Sequence, residues 1–251
     1  MKPITCFVAT VLFSFIACGA GKPAKESGQE QPQPDPQWNV RVEVLMVAMP
    51  QEKALDFLPD LHNPAKIEGA VAEILKAITR KEATLMGYPV VYTLDGQRAV
   101  AEDILELRYP VEFNPPTSAS TITGSAAATG TGASNYPFPK AFETRNVGST
   151  LEVEPNVSSS GEWISLNMVP QLVQFLGDNS YSSGEAVNGK VIYVQQPKFF
   201  TTKETFSLKI RNGQRCLIGV HKLLQPENNM EFFIVQAIAT RVGEMNSGQH
   251  K

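Results

Sequence analysis

The chain has 251 residues, of which 42% are hydrophobic, and carries a formal net charge of -3 with no basic run. That length and apolar content support a core shared by one or two domains and exclude a chain disordered throughout. The charge balance argues against nucleic acid as a partner, because phosphate binding needs clustered Lys and Arg.

Lys2 precedes an apolar run from Ile4 to Ala17, and the small residues Cys18, Gly19 and Ala20 follow. This is the order of a secretory signal over residues 1–20, too short to span a bilayer comfortably, so the mature protein is expected to be exported. Phe15-Ile16-Ala17-Cys18 also resembles a bacterial lipobox. Lipidation at Cys18 and ordinary cleavage near Ala20 both stay open. In either case Cys216 is left alone, closes no disulfide, and reads as a buried apolar thiol beside Leu217 and Ile218. Residues 21–37, rich in Gln, Pro, Lys and Glu, read as a disordered tether.

A single β-rich domain is expected over 38–243. Val40, Val42 and Val44 alternate with Arg41 and Glu43 before Leu45-Met46-Val47, giving a strand that enters from solvent, becomes buried and ends at Pro50. A short helix is expected around Glu52 to Phe57. Asn63-Pro64 then supplies a cap and a first-turn proline, and Ile67, Ala70, Val71, Ile74, Leu75 and Ile78 recur at helical spacing, predicting one principal amphipathic helix from Pro64 to Arg80.

Val90 to Leu94 and Arg98 to Ala101 flank Asp95-Gly96, a pair that supplies the positive φ of a tight hairpin. Asn212-Gly213 repeats the device between Ile210 and Ile218, so that two Gly-Gln-Arg corners lie about half a chain apart. Leu105, Leu107, Tyr109 and Val111 alternate through another strand. From 114 to 139 the chain turns to Pro, Ser, Thr, Gly and Ala, a low-complexity insertion. It lacks the alternating apolar band of a lipid-facing strand, so it is expected to stay out of a bilayer, to be cut early by protease and to be removable at little cost in stability.

The longest signal runs from Val147 to Val173. Val147, Leu151, Val153, Pro155 and Val157 oppose Thr150, Glu152, Glu154 and Asn156. Ile164, Leu166 and Met168 oppose Trp163, Ser165 and Asn167 beyond a Ser158-Ser159-Ser160-Gly161 turn. This is an antiparallel hairpin with one buried face. A polar loop is expected from Gly177 to Gly189, a strand from Phe206 to Ile210, and a central strand buried on both faces from Phe232 to Ala239. Residues 244–251 read as a frayed tail. The expected fold class is α+β, mainly antiparallel β with one principal helix; Asp95, Gly96, Gly148, Asn212 and Gly213 are its turn residues.

Chemistry is thin. His62, His221 and His250 stand apart with no ligand spacing, Glu102 and Asp103 point to opposite strand faces, and no nucleophile elbow, zinc motif or phosphate loop occurs. No catalytic residue, metal or cofactor is expected.

Thr93 to Ala99, the strand ending in Tyr109-Pro110, the low-complexity insertion, Thr144 to Val157, Ile164 to Pro170 and Gly213 to Gly219 follow one another in an order that resembles the secretin homology domain of bacterial type II and III secretion systems. The resemblance covers Val40 to Val242. It implies a secretin-like sheet, a homo-oligomeric ring, other envelope or secretion-complex proteins as partners, a periplasmic or outer-membrane location, and neither cofactor nor catalysis. The chain departs from the pattern at Val220, where a second glycine is usual, at His221 to Met230, and at Ala239-Thr240-Arg241-Val242. The alternative is a stand-alone periplasmic binding or scaffolding module that keeps the fold without a pore.

Overall fold

A computed structural model describes residues 37–114, 138–185, 191–224 and 226–242. The signal at 1–20 with Cys18, the tether up to residue 36, residues 115–137 of the insertion and the tail lie outside the described residues. The elements are β1 (Trp38–Pro50), α1 (Gln51–Leu61), α2 (Ile67–Thr79), β2 (Thr84–Gly87), β3 (Val90–Leu94), β4 (Ala99–Asn114), β5 (Phe138–Val157), β6 (Trp163–Glu185), β7 (Val191–Lys203), β8 (Phe206–Arg211), β9 (Arg215–Lys222) and β10 (Asn229–Arg241). The fold is mainly antiparallel α+β.

Sheet A has the order β2-β1-β10-β9, with β3 also paired to β1. The valines that alternate in the sequence of β1 point to one layer, and the residues between them point to the other. Val40, Val42, Val44 and Met46, with Phe233, Val235 and Ala237 of β10, meet Leu151, Val153, Ile164 and Leu166 of sheet B. Leu45, Val47 and Met49, with Phe232 and Ile234, meet Ile67, Ala70, Val71 and Ile74 of the helices. β10 is therefore the central strand that its two-sided apolar run predicts, with both Phe232 and Phe233 fully buried.

Both expected helices are present, the short one longer than the span Glu52 to Phe57 and the principal one shorter than Pro64 to Arg80. α1 is a helix of 11 residues that starts directly after Pro50 and buries Ala54 and Leu61. α2 begins at Ile67, later than Pro64, because Asn63 first holds a separate turn: its Oδ1 accepts from Ala65 N at 3.0 Å and its carbonyl from the amides of Lys66 and Ile67. Leu75 falls off the buried stripe and is exposed, and Ala77 takes the inner position. Arg215 ties the helix layer to sheet A by reaching both Glu68 of α2 and the buried Glu43 of β1.

Sheet B has the order β4-β5-β6-β7, with β8 paired to the first part of β6. The β5–β6 hairpin pairs from Val157↔Ile164 to Gly148↔Val173 around its serine turn. The expected polar loop at 177–189 is strand up to Glu185, paired to β7. Its Asp, Asn and Ser residues gave no alternating signal because the backbone ladder there stands largely in solvent.

The Asp-Gly and Asn-Gly corners are not hairpins. β3 lies in sheet A and β4 in sheet B, while β8 lies in sheet B and β9 in sheet A, so each corner carries the chain from one sheet to the other. Both do so with the same bonds. Asp95 Oδ1 accepts from Val157 N at 2.7 Å and Gly96 N donates to Pro155 O at 2.7 Å. Asn212 Oδ1 accepts from Ala239 N at 2.9 Å and Gly213 N donates to Ala237 O at 2.9 Å. Each corner thus extends the ladder of the strand it is about to join, beyond the first regular pairs Ala99↔Val153 and Gln236↔Arg215. The φ values of 70° at Gly96 and 81° at Gly213 explain why glycine follows the polar residue in both.

Asn212 also donates through Nδ2 to Gly161 O and Ala239 O, each at 2.9 Å. Asn212→Ala should cost about 2–4 kcal/mol and Asp95→Ala about 1–2 kcal/mol in urea unfolding, since the first strands more buried polar groups. Asn212→Asp should be no better than the alanine variant, because it sets a carboxylate against two carbonyl oxygens.

Candidate functional site

Above the core, sheet B divides. β5 is paired to β6 only as far as Gly148↔Val173, after which its remaining residues, 138–147, stay with β4 alone. β6 continues to Glu185 with β7 alone. The result is two ribbons, β4–β5 and β6–β7, each about 30–40 Å long at ~3.3 Å per residue. Among the described residues the outer backbone edges of β4 and β7 pair with nothing.

Gly148 stands at this fork, inside β5 rather than at a turn. Its φ is 131°, and a Cβ there would run into the carbonyl oxygen of Asp103 on β4. The close approach keeps β5 on β4 where it parts from β6.

The ribbons meet through β4 and β7. Tyr109 and Phe199 have ring centroids 5.7 Å apart, Phe175 lies 6.1 Å from Phe199, and Gln196 Nε2 donates to Pro110 O at 3.1 Å. From β5, Arg145 donates to Thr201 Oγ1 at 3.2 Å and covers the Phe199 ring. A cavity of about 540 Å³ between them is lined by Leu107, Phe113, Ile192 and Val194 among others. Other large apolar side chains of the ribbons stand in water: Leu105 is 67% exposed, Tyr193 61% and Tyr181 57%. Such a density of exposed apolar groups on open strand edges is a mark of surfaces that pair with other chains.

Sequence reasoning missed a second feature, a buried polar cluster below the fork. Glu231 of β10 is fully buried with neither carboxylate oxygen hydrogen-bonded. Thr202 of β7 lies beside it, its Oγ1 also unbonded. Burial pushes the Glu231 carboxyl up to about 7, and Thr202 works in the opposite direction. The only sequence signal was one acid next to Phe232-Phe233 in an apolar run. His221, on β9, pairs in register with Glu231. Burial holds its imidazole below the usual value against the pull of Glu204. Its Nε2 is 3.0 Å from Glu204 Oε1 but out of line for a hydrogen bond.

The remaining sequence candidates are dispersed. His62 is exposed and its Nδ1 lies 2.8 Å from Leu58 O. Cys216 is half-buried, and burial raises its thiol pKa, which leaves it a poor nucleophile. Among the described residues no group of three or more His, Cys, Asp or Glu side chains converges. Cys18 and His250 lie outside the described residues.

Gly148→Ala should cost about 2–4 kcal/mol in denaturant unfolding, combining backbone strain with displacement of β4. Gly177→Ala, where φ is 99° but a Cβ meets open space, should cost only about 1 kcal/mol. Equal losses would remove the close approach to β4 as the reason for glycine at the fork.

No protein-family model and no curated protein matches the chain. The solved structures it resembles are secretins. With the InvG secretin of the Salmonella SPI-1 type III secretion injectisome it shares 9% identity at a TM-score of 0.39, over 82% of this chain and 65% of that one. For the type II secretin GspD of enteropathogenic Escherichia coli the values are 12% and 0.38, over 85% and 71%. For the AspS–GspD pilotin–secretin complex of enterotoxigenic E. coli they are 13% and 0.40, over 86% and 52%. The chain therefore spans less than two thirds of the length of InvG and about half of that GspD.

Proposed function

We propose that this chain is a non-enzymatic cell-envelope protein of the secretin-like class that works by self-assembly, as a homo-oligomer within a complex for protein secretion or export. It is exported by the signal at 1–20, held in the periplasm or at the outer membrane, and lipid-anchored if Cys18 is acylated.

The observation that carries this reading is the pair of ribbons with open outer edges. β4, β5, β6 and β7 alternate in direction, so β4 and β7 at the two edges run antiparallel to each other. A neighbour in the same orientation can then add its β4 beside β7 and continue the antiparallel alternation. Copies joined in this head-to-tail way form a ring when the rotation between them closes. The order of motifs from Thr93 to Gly219 supports the same class.

The ribbon-to-ribbon contact through Tyr109 and Phe199 favours the alternative, a stand-alone periplasmic binding or scaffolding module, because it covers part of the apolar surface within one copy. Light scattering coupled to size exclusion in detergent separates the two. The assembled form should have roughly ten times or more the mass of one chain. A monomer at every detergent and protein concentration would overturn self-assembly and leave the stand-alone module.

A further inference from the structure

We propose that Glu231 and Thr202 form a proton-operated latch that fastens the base of the β6–β7 ribbon to sheet A when Glu231 is protonated and releases it when Glu231 ionises. This holds for a single copy and does not depend on the assembly reading.

The geometry is that of a joint. On β10, Phe232 and Ile234 face the helices, so Glu231 shares the opposite face with Phe233 and Val235, toward sheet B. Across that gap Thr202 is buried on β7, in register with Leu172 of β6. The neighbouring register pair, Thr201↔Val173, is level with the last β5–β6 pair, Gly148↔Val173. The cluster therefore sits immediately below the fork, where a shift of β7 carries the whole ribbon with it.

The surroundings offer no charge to balance an ionised Glu231. Its register partner on β1 is Ala48, and β1 brings Met46 next to it along the same face. β5 brings Ser149, buried against Gly87 of β2 with its Oγ unbonded. β9 brings His221, whose burial favours the neutral imidazole, and the end of β7 brings Glu204, an acid. Lys203 and Lys222 are exposed. A neutral carboxyl can donate its O–H to Thr202 Oγ1 and remain enclosed. A carboxylate in the same position must find water, since burying an uncompensated charge is far costlier than opening a few contacts.

The sign follows from the raised value. Folding binds the proton more tightly than the unfolded chain does, so the latch's contribution is complete below the ordinary value of 4.5 and is lost as pH rises through about 7. The loss should begin locally, at β7, because β10 is paired on both sides, by β1 and β9, while among the described residues β7 is paired in a ladder only to β6.

Amide hydrogen exchange on the folded chain at pH 5.5 and 8.0, corrected for intrinsic rates, tests this. Segments covering Phe199 to Lys203 should lose protection about tenfold or more at the higher pH while β1 and β10 keep theirs. Glu231→Gln should hold these segments equally protected at both values, and His221→Gln should respond to pH as the wild type does. Unchanged protection in the wild type, loss spread evenly over β1 and β10, or a pH response that survives Glu231→Gln would overturn the latch. So would its disappearance in His221→Gln. Should Glu231→Gln fail to fold, ¹³C titration of the wild-type glutamate carboxyls decides: a Glu231 midpoint near 7 supports the latch and one near 4.5 overturns it.

Discussion

Everything in this molecule depends on the burial of one antiparallel pair, β1–β10, on both of its faces. The two strands stay in register from Trp38↔Arg241 to Pro50↔Asn229. Odd and even positions therefore answer to different layers, with the helices on one side and sheet B on the other. Among the described residues both buried clusters are built on this pair, one with sheet B and the other with the helices. Phe232 and Phe233 show the constraint in two adjacent residues, each worth about 2–3 kcal/mol of burial and each directed into a different layer. A polar side chain on this pair is then expensive unless something answers it. Glu43 is answered by Arg41 and Arg215. Glu231 is answered by nothing charged, which is why its proton matters.

The same constraint explains the corners. Sheet B is one continuous excursion of the chain, leaving sheet A at Asp95-Gly96 and returning at Asn212-Gly213. Each corner joins edge strands, β3 to β4 and β8 to β9, and must cross the thickness of the core without exposing backbone groups. A side chain that imitates a peptide group does this. Asn212, with donor and acceptor, completes both the amide and the carbonyl of Ala239, while Asp95, an acceptor only, completes the amide of Val157. The arginine that follows each corner is fixed by acids on the sheet it has entered or the helix above it, Arg98 by Glu152 and Arg215 by Glu43 and Glu68.

Where one periodicity was satisfied by one buried face, the sequence was legible. β1, α2, the β5–β6 hairpin and the two-sided β10 follow from spacing alone, because hydrophobic burial was the deciding term at each. Asp95-Gly96 and Asn212-Gly213 were misread because positive φ at glycine serves a hairpin and a sheet-to-sheet corner equally; the destination of the next strand is a tertiary fact. Residues 178–185 looked like a loop because Asp178, Asn179, Ser180 and Ser182 bury nothing, yet backbone pairing to β7 makes them strand. Glu231 was invisible for the opposite reason. Its neighbours Phe232 and Phe233 promised a strand, and one acid did not interrupt the pattern.

An isolated two-stranded ribbon is marginal in water, and these two extend far beyond the core that would support them. The Tyr109–Phe199 and Gln196–Pro110 contacts supply part of what is missing, but they leave Leu105, Tyr181 and Tyr193 exposed and, among the described residues, β4 and β7 with no ladder partner on one side. Strand proteins that remain single usually guard such edges with proline, bulges or lysine. Here such features include Pro110 with the irregular register up to Phe113 on β4, Pro197 on β7 opposite the bulge between Phe175 and Asp178, and a further break in register between Ser182 and Gly184. Below them, Ala99 to Tyr109 of β4 has regular pairing to β5 on one side and an open edge on the other. That length carries Glu102, Asp103, Glu106 and Arg108 and starts just after the Asp95-Gly96 corner, which is bonded to Val157 and Pro155 of β5. The edge of β4 is thus held at its root by the corner, while the fork at Gly148, where β5 stays with β4 and β6 goes on with β7, separates the two ribbons above it.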